Sequence, residues 1–288
     1  MGCVSRVLDD SSALDALLEY GFLDAPKKSE YEARRLAGGC AVVLYKSGKV
    51  VIQGKDNVVS EVERIVFGDV SVKEKMKIDG SDVVRIGGDE CLKGDTFGGL
   101  VVCCVRADAK IRGQLFSLGV SDSKKIADAK IMKMGAQVIR VLGCENLAVV
   151  EVGPADYNRM NLQYKSVTRM LNLMYEKAVG SLGSAEECFI DQYPGCRVRG
   201  CRSLEKGESK YIEIAAASVV ARYRGLLQMD SISKRAGFEV PKGSTHVKWG
   251  LIRLKREKKV FGDFVKLHFR NVYRFLDADD QTRQAKLI

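Results

Sequence analysis

The chain has 288 residues, 46% of them hydrophobic and 29% charged, with a formal net charge of +10 at neutral pH. That length accommodates one large domain or two ordinary ones, and the composition excludes a disordered or fibrous chain. No apolar run approaches the ~18 residues of a membrane span, and Arg6 is soon followed by Asp9 and Asp10 where a signal peptide would turn apolar. A soluble protein with no membrane partner is expected.

The charge is uneven. Residues 1–80 hold 12 Lys/Arg and 13 Asp/Glu, whereas the remainder holds 35 and 24. A basic C-terminal part suits contact with a polyanion, although solubility alone also accounts for it. The nine cysteines include no Cys-x-x-Cys pair, and Cys188, Cys196 and Cys201 are spaced too loosely for a zinc knuckle. Free thiols in a reducing cytosol or nucleus are expected.

In chain order, residues 11–20 read as a short helix with Ser11 or Ser12 as N-cap and Leu14, Leu17 and Leu18 on one face. Strand formers from Cys40 to Tyr45, a turn at Lys46-Ser47-Gly48 and a return over 49–54 predict a hairpin. Val58 to Phe67 has helical spacing, so helix, hairpin and helix make a small α+β unit, with Ser71–Asp82 as its linker. Tyr45, Lys46, Lys49 and Gln53 fit either a nucleic-acid-contacting sheet face or an ordinary exposed hairpin.

The stretch 83–105 organises the rest of the chain. It reads as an apolar strand, a glycine-rich turn carrying Asp89-Glu90, and a second, more apolar strand. Adjacent carboxylates at a sheet edge suit a hard divalent cation shared with a substrate phosphate; a hairpin with a polar turn is the plainer alternative. Gly119 to Lys125 is a small-residue loop before a helix of 127–142, suited to a phosphate or simply a capped helix. A strand follows at 146–152, then a helical region from Pro154 to Val179. Cys188 to Tyr193 is again an apolar strand ending in a carboxylate, Asp191, and Lys206-Gly207-Glu208-Ser209-Lys210 sets another acid beside a glycine. The alanine-dense run from Ile214 predicts a helix lying close on a sheet and ending near Ala236. The segment 255–274 is basic with interleaved aromatics. Strands alternating with helices argue an α/β domain from about residue 83, with a mixed sheet because its first two strands form a hairpin.

Taken in order, Ile86-Gly87-Gly88-Asp89-Glu90 with Gly94-Asp95-Thr96-Phe97-Gly98, Gly119 to Lys125, Ile190-Asp191-Gln192-Tyr193, Lys206 to Lys210, Ala215 to Arg222, Pro241-Lys242-Gly243 and His268-Phe269 resemble the motifs of the type 2 ribonuclease H family. The resemblance covers nearly the whole chain. Glu208 as the fourth acid, and the N-terminal unit around Leu44-Tyr45-Lys46-Ser47-Gly48-Lys49-Val50, are similar to the HIII branch. The resemblance implies a ribonuclease-H-like α/β domain over 83–288, a mixed sheet flanked by helices with a C-terminal helical extension. A small α+β, TATA-binding-protein-like substrate domain over 1–78 precedes it. The implied activity is hydrolysis of the RNA strand of RNA–DNA hybrids to 5′-phosphate and 3′-hydroxyl ends, by a monomer in the cytoplasm (or in the nucleus of a eukaryote). Asp89, Glu90, Asp191 and Glu208 are the implied catalytic residues and ligands of two Mg²⁺ or Mn²⁺ ions, with no organic cofactor. Lys93, Gly94, Asp95, Ser123 and Lys124, together with Tyr45, Lys46 and Lys49, are the implied substrate contacts.

One departure stands out. Cys91-Leu92-Lys93-Gly94 replaces the family's valine and Gly-x-Gly turn, so that Leu92 occupies a usual glycine position; Gly99 replaces a usual proline. Leu92 restricts the backbone near the substrate and bears on discrimination and rate. Incision at single ribonucleotides in duplex DNA, in the manner of ribonuclease HII, and hybrid binding without turnover are the alternatives. Retention of all four acids argues against the second.

Overall fold

The computed structural model describes residues 2–8, 10–67, 81–120 and 126–276. The chain divides into two compact units near residue 75. The linker expected at Ser71–Asp82 lies, up to residue 80, outside the described residues.

The N-terminal unit is richer in strands than its sequence suggests. A 3-10 turn at Ser11–Leu14 leads into α1 (Ala16–Glu19), and its cap is the Asp10 carboxylate, which accepts from the Ser12 N–H at 2.9 Å, in place of Ser11 or Ser12. Leu14 and Leu17 are buried and Leu18 is exposed. The hairpin is present as β4 (Cys40–Tyr45) and β5 (Lys49–Gly54). Three further strands, β1 (Gly2–Val7), β2 (Leu23–Asp24) and β3 (Glu32–Ala37), extend it to an antiparallel sheet of order β1-β5-β4-β3-β2, and α2 (Asp56–Phe67) follows. Sheet and helices enclose a core of Leu14, Leu17, Leu36, Val42, Val50 and Ile52. The expected helix–hairpin–helix is therefore corrected. β3 escaped notice because its charged residues are held by ion pairs, Arg34 to Asp15 and Asp24 and Arg35 to Glu32, which leave no alternating apolar pattern.

The C-terminal unit is an α/β domain around a mixed sheet of order β10-β9-β6-β7-β8. The strands are β6 (Arg85–Cys91), β7 (Leu100–Ala107), β8 (Leu147–Val152), β9 (Glu187–Asp191) and β10 (Arg202–Leu204). β6 pairs antiparallel with β7 and parallel with β9, and β9 pairs parallel with β10. Asp89 and Glu90 accordingly lie within β6, not in the turn where the sequence placed them.

Two adjacent glycines let the sheet be packed tightly on both faces. A Cβ on Gly87 would lie 2.4 Å from the Ile214 nitrogen of α8 (Ile212–Ala236), and one on Gly88 would lie 2.9 Å from the Tyr175 ring of α6 (Val167–Gly180). The alanine run does what its density implies. Ala215, Ala216 and Ala217 are fully buried, and α8 lies against β6 and β7.

The remaining helices are α3 (Ala109–Ser117), α4 (Asp128–Leu142), α5 (Pro154–Tyr164), the one-turn α7 (Gly207–Lys210), α9 (Lys248–Arg256) and α10 (Arg270–Tyr273). The single helical region expected from Pro154 is two helices, broken where Lys165 turns left-handed and Ser166 caps α6. α3, capped by Asp108, was missed. The aromatics of the basic C-terminal segment are largely structural, with Phe261 and Phe264 buried and Tyr273 exposed. No helix among the described residues is long and apolar enough to cross a membrane.

The expectation of nine free thiols is also corrected: Cys188 and Cys201 form a disulfide. The cause is strand pairing. Arg202 sits opposite Phe189 across β10 and β9, which brings the two preceding cysteines side by side. The other seven cysteines are free.

Candidate active site

The four acids singled out by the sequence come from β6, from β9 and from the one-turn helix α7 that follows β10. Register places the first pair. Gly88 of β6 lies opposite Ile190 of β9, and one step further along these parallel strands come Asp89 and Asp191. Two carboxylates thus stand on neighbouring central strands at the same end of the sheet. The Gly207 N–H donates to Asp191 Oδ1 at 2.9 Å, which ties Glu208, the next residue, to the same end. Glu208 is 7% exposed.

Asp89 is 5% exposed. Burial pushes its carboxyl up to about 7, the Glu90 and Asp191 charges push the same way, and the Ser218 hydroxyl and the Glu90 N–H oppose them. Glu90 points to the opposite face of the sheet. The buried Tyr175 hydroxyl donates to its Oε2 at 2.7 Å and the Lys93 ammonium lies 2.5 Å from its Oε1. Asp89, Glu90, Asp191, Gln192, Ser218 and Arg222 line one cavity of about 360 Å³, together with the turn 91–95. Glu208 is not on its wall.

The donor set is all oxygen, and Asp89 is crowded by like charges in a desolvated position. A divalent cation relieves that combination. Among the described residues no three His, Cys, Asp or Glu side chains are grouped so as to hold a metal ion. Glu90 is directed to Tyr175 and Lys93, and Asp191 to Gly207. The residues fit a hard cation in kind and placement on the sheet, with side-chain rotation needed to converge.

The implied substrate contacts divide. Lys93 is part-exposed at the cavity, and a Cβ on Gly94 would meet nothing within 4 Å, so the backbone there is open. Asp95 is engaged internally, its Oδ1 accepting from the Gly243 N–H at 2.6 Å. Leu92 has φ +68°, the left-handed conformation that favours glycine, at the position where the sequence departs from the family pattern. Ser123 and Lys124 lie outside the described residues. In the N-terminal unit Tyr45, Lys46 and Lys49 line a separate cavity of about 370 Å³ with Tyr31, Ser47 and Val51. Sequence reasoning missed Tyr31, Tyr175 and Ser218. Tyr175 and Ser218 lie within apolar helical runs that gave no sign of which faced an acid.

The family model for ribonuclease HII matches residues 86–272, which places the C-terminal unit among the type 2 ribonucleases H. The chain is 30% identical to the ribonuclease HIII of Bacillus subtilis strain 168 over 279 residues, covering 85% of this chain and 87% of that one. It is also 30% identical to the ribonuclease HIII of Bacillus pumilus, over 82% and 86%. Among solved structures, Aquifex aeolicus RNase H3 is similar with a TM-score of 0.57 and 25% identity, over 93% of this chain and all of that one. Bst-RNase HIII, solved in complex with Mn²⁺, shares the fold with a TM-score of 0.62 at 24% identity, over 95% and 98%. The chain belongs to the ribonuclease HIII family and is a ribonuclease H enzyme.

Proposed function

We propose that this enzyme hydrolyses the RNA strand of RNA–DNA hybrids to 5′-phosphate and 3′-hydroxyl ends, with Asp89, Glu90, Asp191 and Glu208 holding Mg²⁺ or Mn²⁺. The observation that carries the proposal is the register of β6 and β9, which sets Asp89 beside Asp191 at one sheet end with Glu90 adjacent and Gly207-Glu208 tied to Asp191. The Mn²⁺ bound to Bst-RNase HIII accords with it. When bound, such cations supply water activation and charge stabilisation at the leaving 3′-oxygen.

The protein's own residues have separable tasks. Asp89 and Asp191 concentrate negative charge in a desolvated position, so cation binding also removes a repulsion from the folded state. Tyr175 and Lys93 hold Glu90 in place before substrate arrives. Lys93 and the open backbone at Gly94 face the RNA strand, where backbone polar groups can reach a 2′-hydroxyl and discriminate RNA from DNA. Ser123 and Lys124 bind phosphate of the same strand. The N-terminal domain, residues 1–78, adds affinity for the hybrid through Tyr45, Lys46 and Lys49. Its near-neutral charge assigns that affinity to shape and stacking more than to counterion release.

Cleavage of a labelled hybrid in Mg²⁺, Mn²⁺ or EDTA, beside a duplex containing one ribonucleotide, tests the proposal. Metal-dependent cleavage of the hybrid alone is expected. Incision at the single ribonucleotide would assign a ribonuclease HII-like specificity. Binding without cleavage would show that Leu92 and its neighbours have changed the task of the site.

A further inference from the structure

Lys266 is fully buried, and among the described residues no carboxylate lies within ion-pair distance of it. Its ammonium instead donates to two backbone carbonyls, Leu92 O at 2.8 Å and Asp95 O at 2.5 Å. The rings of Tyr157 and Phe269 lie 5.2 and 5.5 Å from the nitrogen, within cation–π range. A buried cation is expensive, and burial pulls this lysine down to about 7 against the upward pull of the Asp95 charge. An apolar residue would fill the space at less cost, so the donors have a task that packing does not perform.

That task is at the turn. Leu92 adopts the left-handed conformation at φ +68°, which a non-glycine residue keeps only where its surroundings over-determine it. From Thr96 onward the segment is held without the lysine side chain. Thr96 N–H donates to Gly243 O at 2.9 Å, Lys266 N–H to Thr96 O at 2.9 Å, and Gly98 N–H to Phe264 O at 3.0 Å. Upstream, β6 ends at Cys91. Within residues 92–95 the Asp95 N–H donates to Leu92 O at 3.2 Å and Asp95 Oδ1 accepts from the Gly243 N–H at 2.6 Å, and the Lys266 ammonium adds a grip on the carbonyls at both ends of that interval.

We propose that Lys266 is a positioning residue for the substrate-facing turn, clamping the Leu92 and Asp95 carbonyls so that Lys93 and the Gly94 backbone are presented to the RNA strand in one fixed conformation. This rests on the proposed function in one respect, that the turn faces substrate. The lysine touches neither the four acids nor the reacting atoms; it supplies with buried donors the rigidity that a left-handed leucine does not secure by itself.

The test compares the full-length wild type with Lys266→Met, which keeps the unbranched shape and removes the donors, and with Lys266→Arg, which restores donors. Three readouts are taken: hydrogen exchange of the peptide covering 91–98, KM and kcat on a labelled hybrid, and thermal unfolding. In Lys266→Met, exchange should accelerate within the 92–95 turn and KM should rise on the order of tenfold, as expected for losing about two charge-assisted hydrogen bonds that fix a contact. kcat should change less, and Lys266→Arg should recover part of the KM. A folded Lys266→Met with unchanged exchange and KM would overturn the proposal. So would faster exchange across the whole C-terminal unit, since the lysine would then support the fold and not the turn. If Lys266→Met does not fold, Lys266→Gln, whose shorter, uncharged amide keeps two N–H donors, carries the same comparison. A smaller KM rise with exchange confined to the turn supports the clamp, and no change or a global effect overturns it. A wild type that cleaves no hybrid would remove the proposed function, while the exchange data would still judge the clamp.

Discussion

Replacing Leu92 by glycine and by alanine separates two opposed contributions at one position. The side chain is 7% exposed and packs where a Cβ on Gly98 or Gly225 would intrude. Truncating it loses roughly 2–5 kcal/mol of burial and packing, and this loss is common to both variants apart from one methyl. The backbone makes the difference. A residue with a Cβ at φ +68° carries about 1–2 kcal/mol of strain, which Leu92→Ala retains and Leu92→Gly releases. Against this, glycine has about 0.5–1 kcal/mol more conformational entropy to lose. Leu92→Gly should therefore be the more stable of the two by roughly 0.5–1 kcal/mol, or ~1–4 °C in Tm for a unit of this size. Both should unfold below the wild type. Trp249, the only tryptophan in the chain, lies on α9 and reports on the C-terminal unit by fluorescence during heat or urea unfolding. Alanine equal to or better than glycine would refute a left-handed Leu92.

Two further outcomes are expected. Deleting residues 1–78 should raise the apparent KM for the hybrid more than it lowers kcat, as follows from the proposal that the N-terminal unit adds affinity and no reacting group; a fall confined to kcat would make that unit a support for the C-terminal one. The Arg35 guanidinium, with the Lys28 N–H, holds the Glu32 carboxyl down to about 2 from an ordinary 4.5. The stabilisation it contributes is present above pH 4.5 and is lost as pH falls through 2. Amide exchange in β3 and β4 should accelerate over that interval in the wild type and respond less to pH in Glu32→Gln. Equal pH dependence would show that the pair contributes nothing to the sheet.

The C-terminal half of the fold was legible where its strands are apolar runs, β6 and β7 being buried over most of their length and β6 and β9 carrying an acid near their end; the short, exposed β10 gave no such signal. The alanines of α8 announced close packing, whereas Gly87 and Gly88, read as part of a glycine-rich turn, serve the same purpose in β6 against α8 and α6. β3 was not legible, since its charged residues interrupt any alternation and the ion pairs of Arg34 and Arg35 exist only once the sheet has formed, and β1 was not because it is largely exposed and none of its residues is fully buried. The Cys188–Cys201 disulfide depends on the pairing of β9 with β10, a tertiary fact. Leu92 was visible as a departure from a glycine pattern, and the backbone at that position kept the glycine conformation. Lys266 was not visible. It sits in a basic stretch where every neighbouring lysine or arginine reads as solvated, and only the fold shows its ammonium turned inward onto two carbonyls.

The central claim is that Asp89 and its neighbouring acids carry out metal-dependent cleavage of the RNA strand, and Asp89→Asn tests it most directly. The substitution keeps the shape of a 5% exposed side chain and removes its negative charge. Cleavage of a labelled RNA–DNA hybrid in Mg²⁺ and in Mn²⁺ should be abolished, while the affinity for the same hybrid, measured by fluorescence anisotropy, should stay close to that of the wild type. An Asp89→Asn enzyme that cleaves the hybrid at the wild-type rate would contradict the assignment of the site.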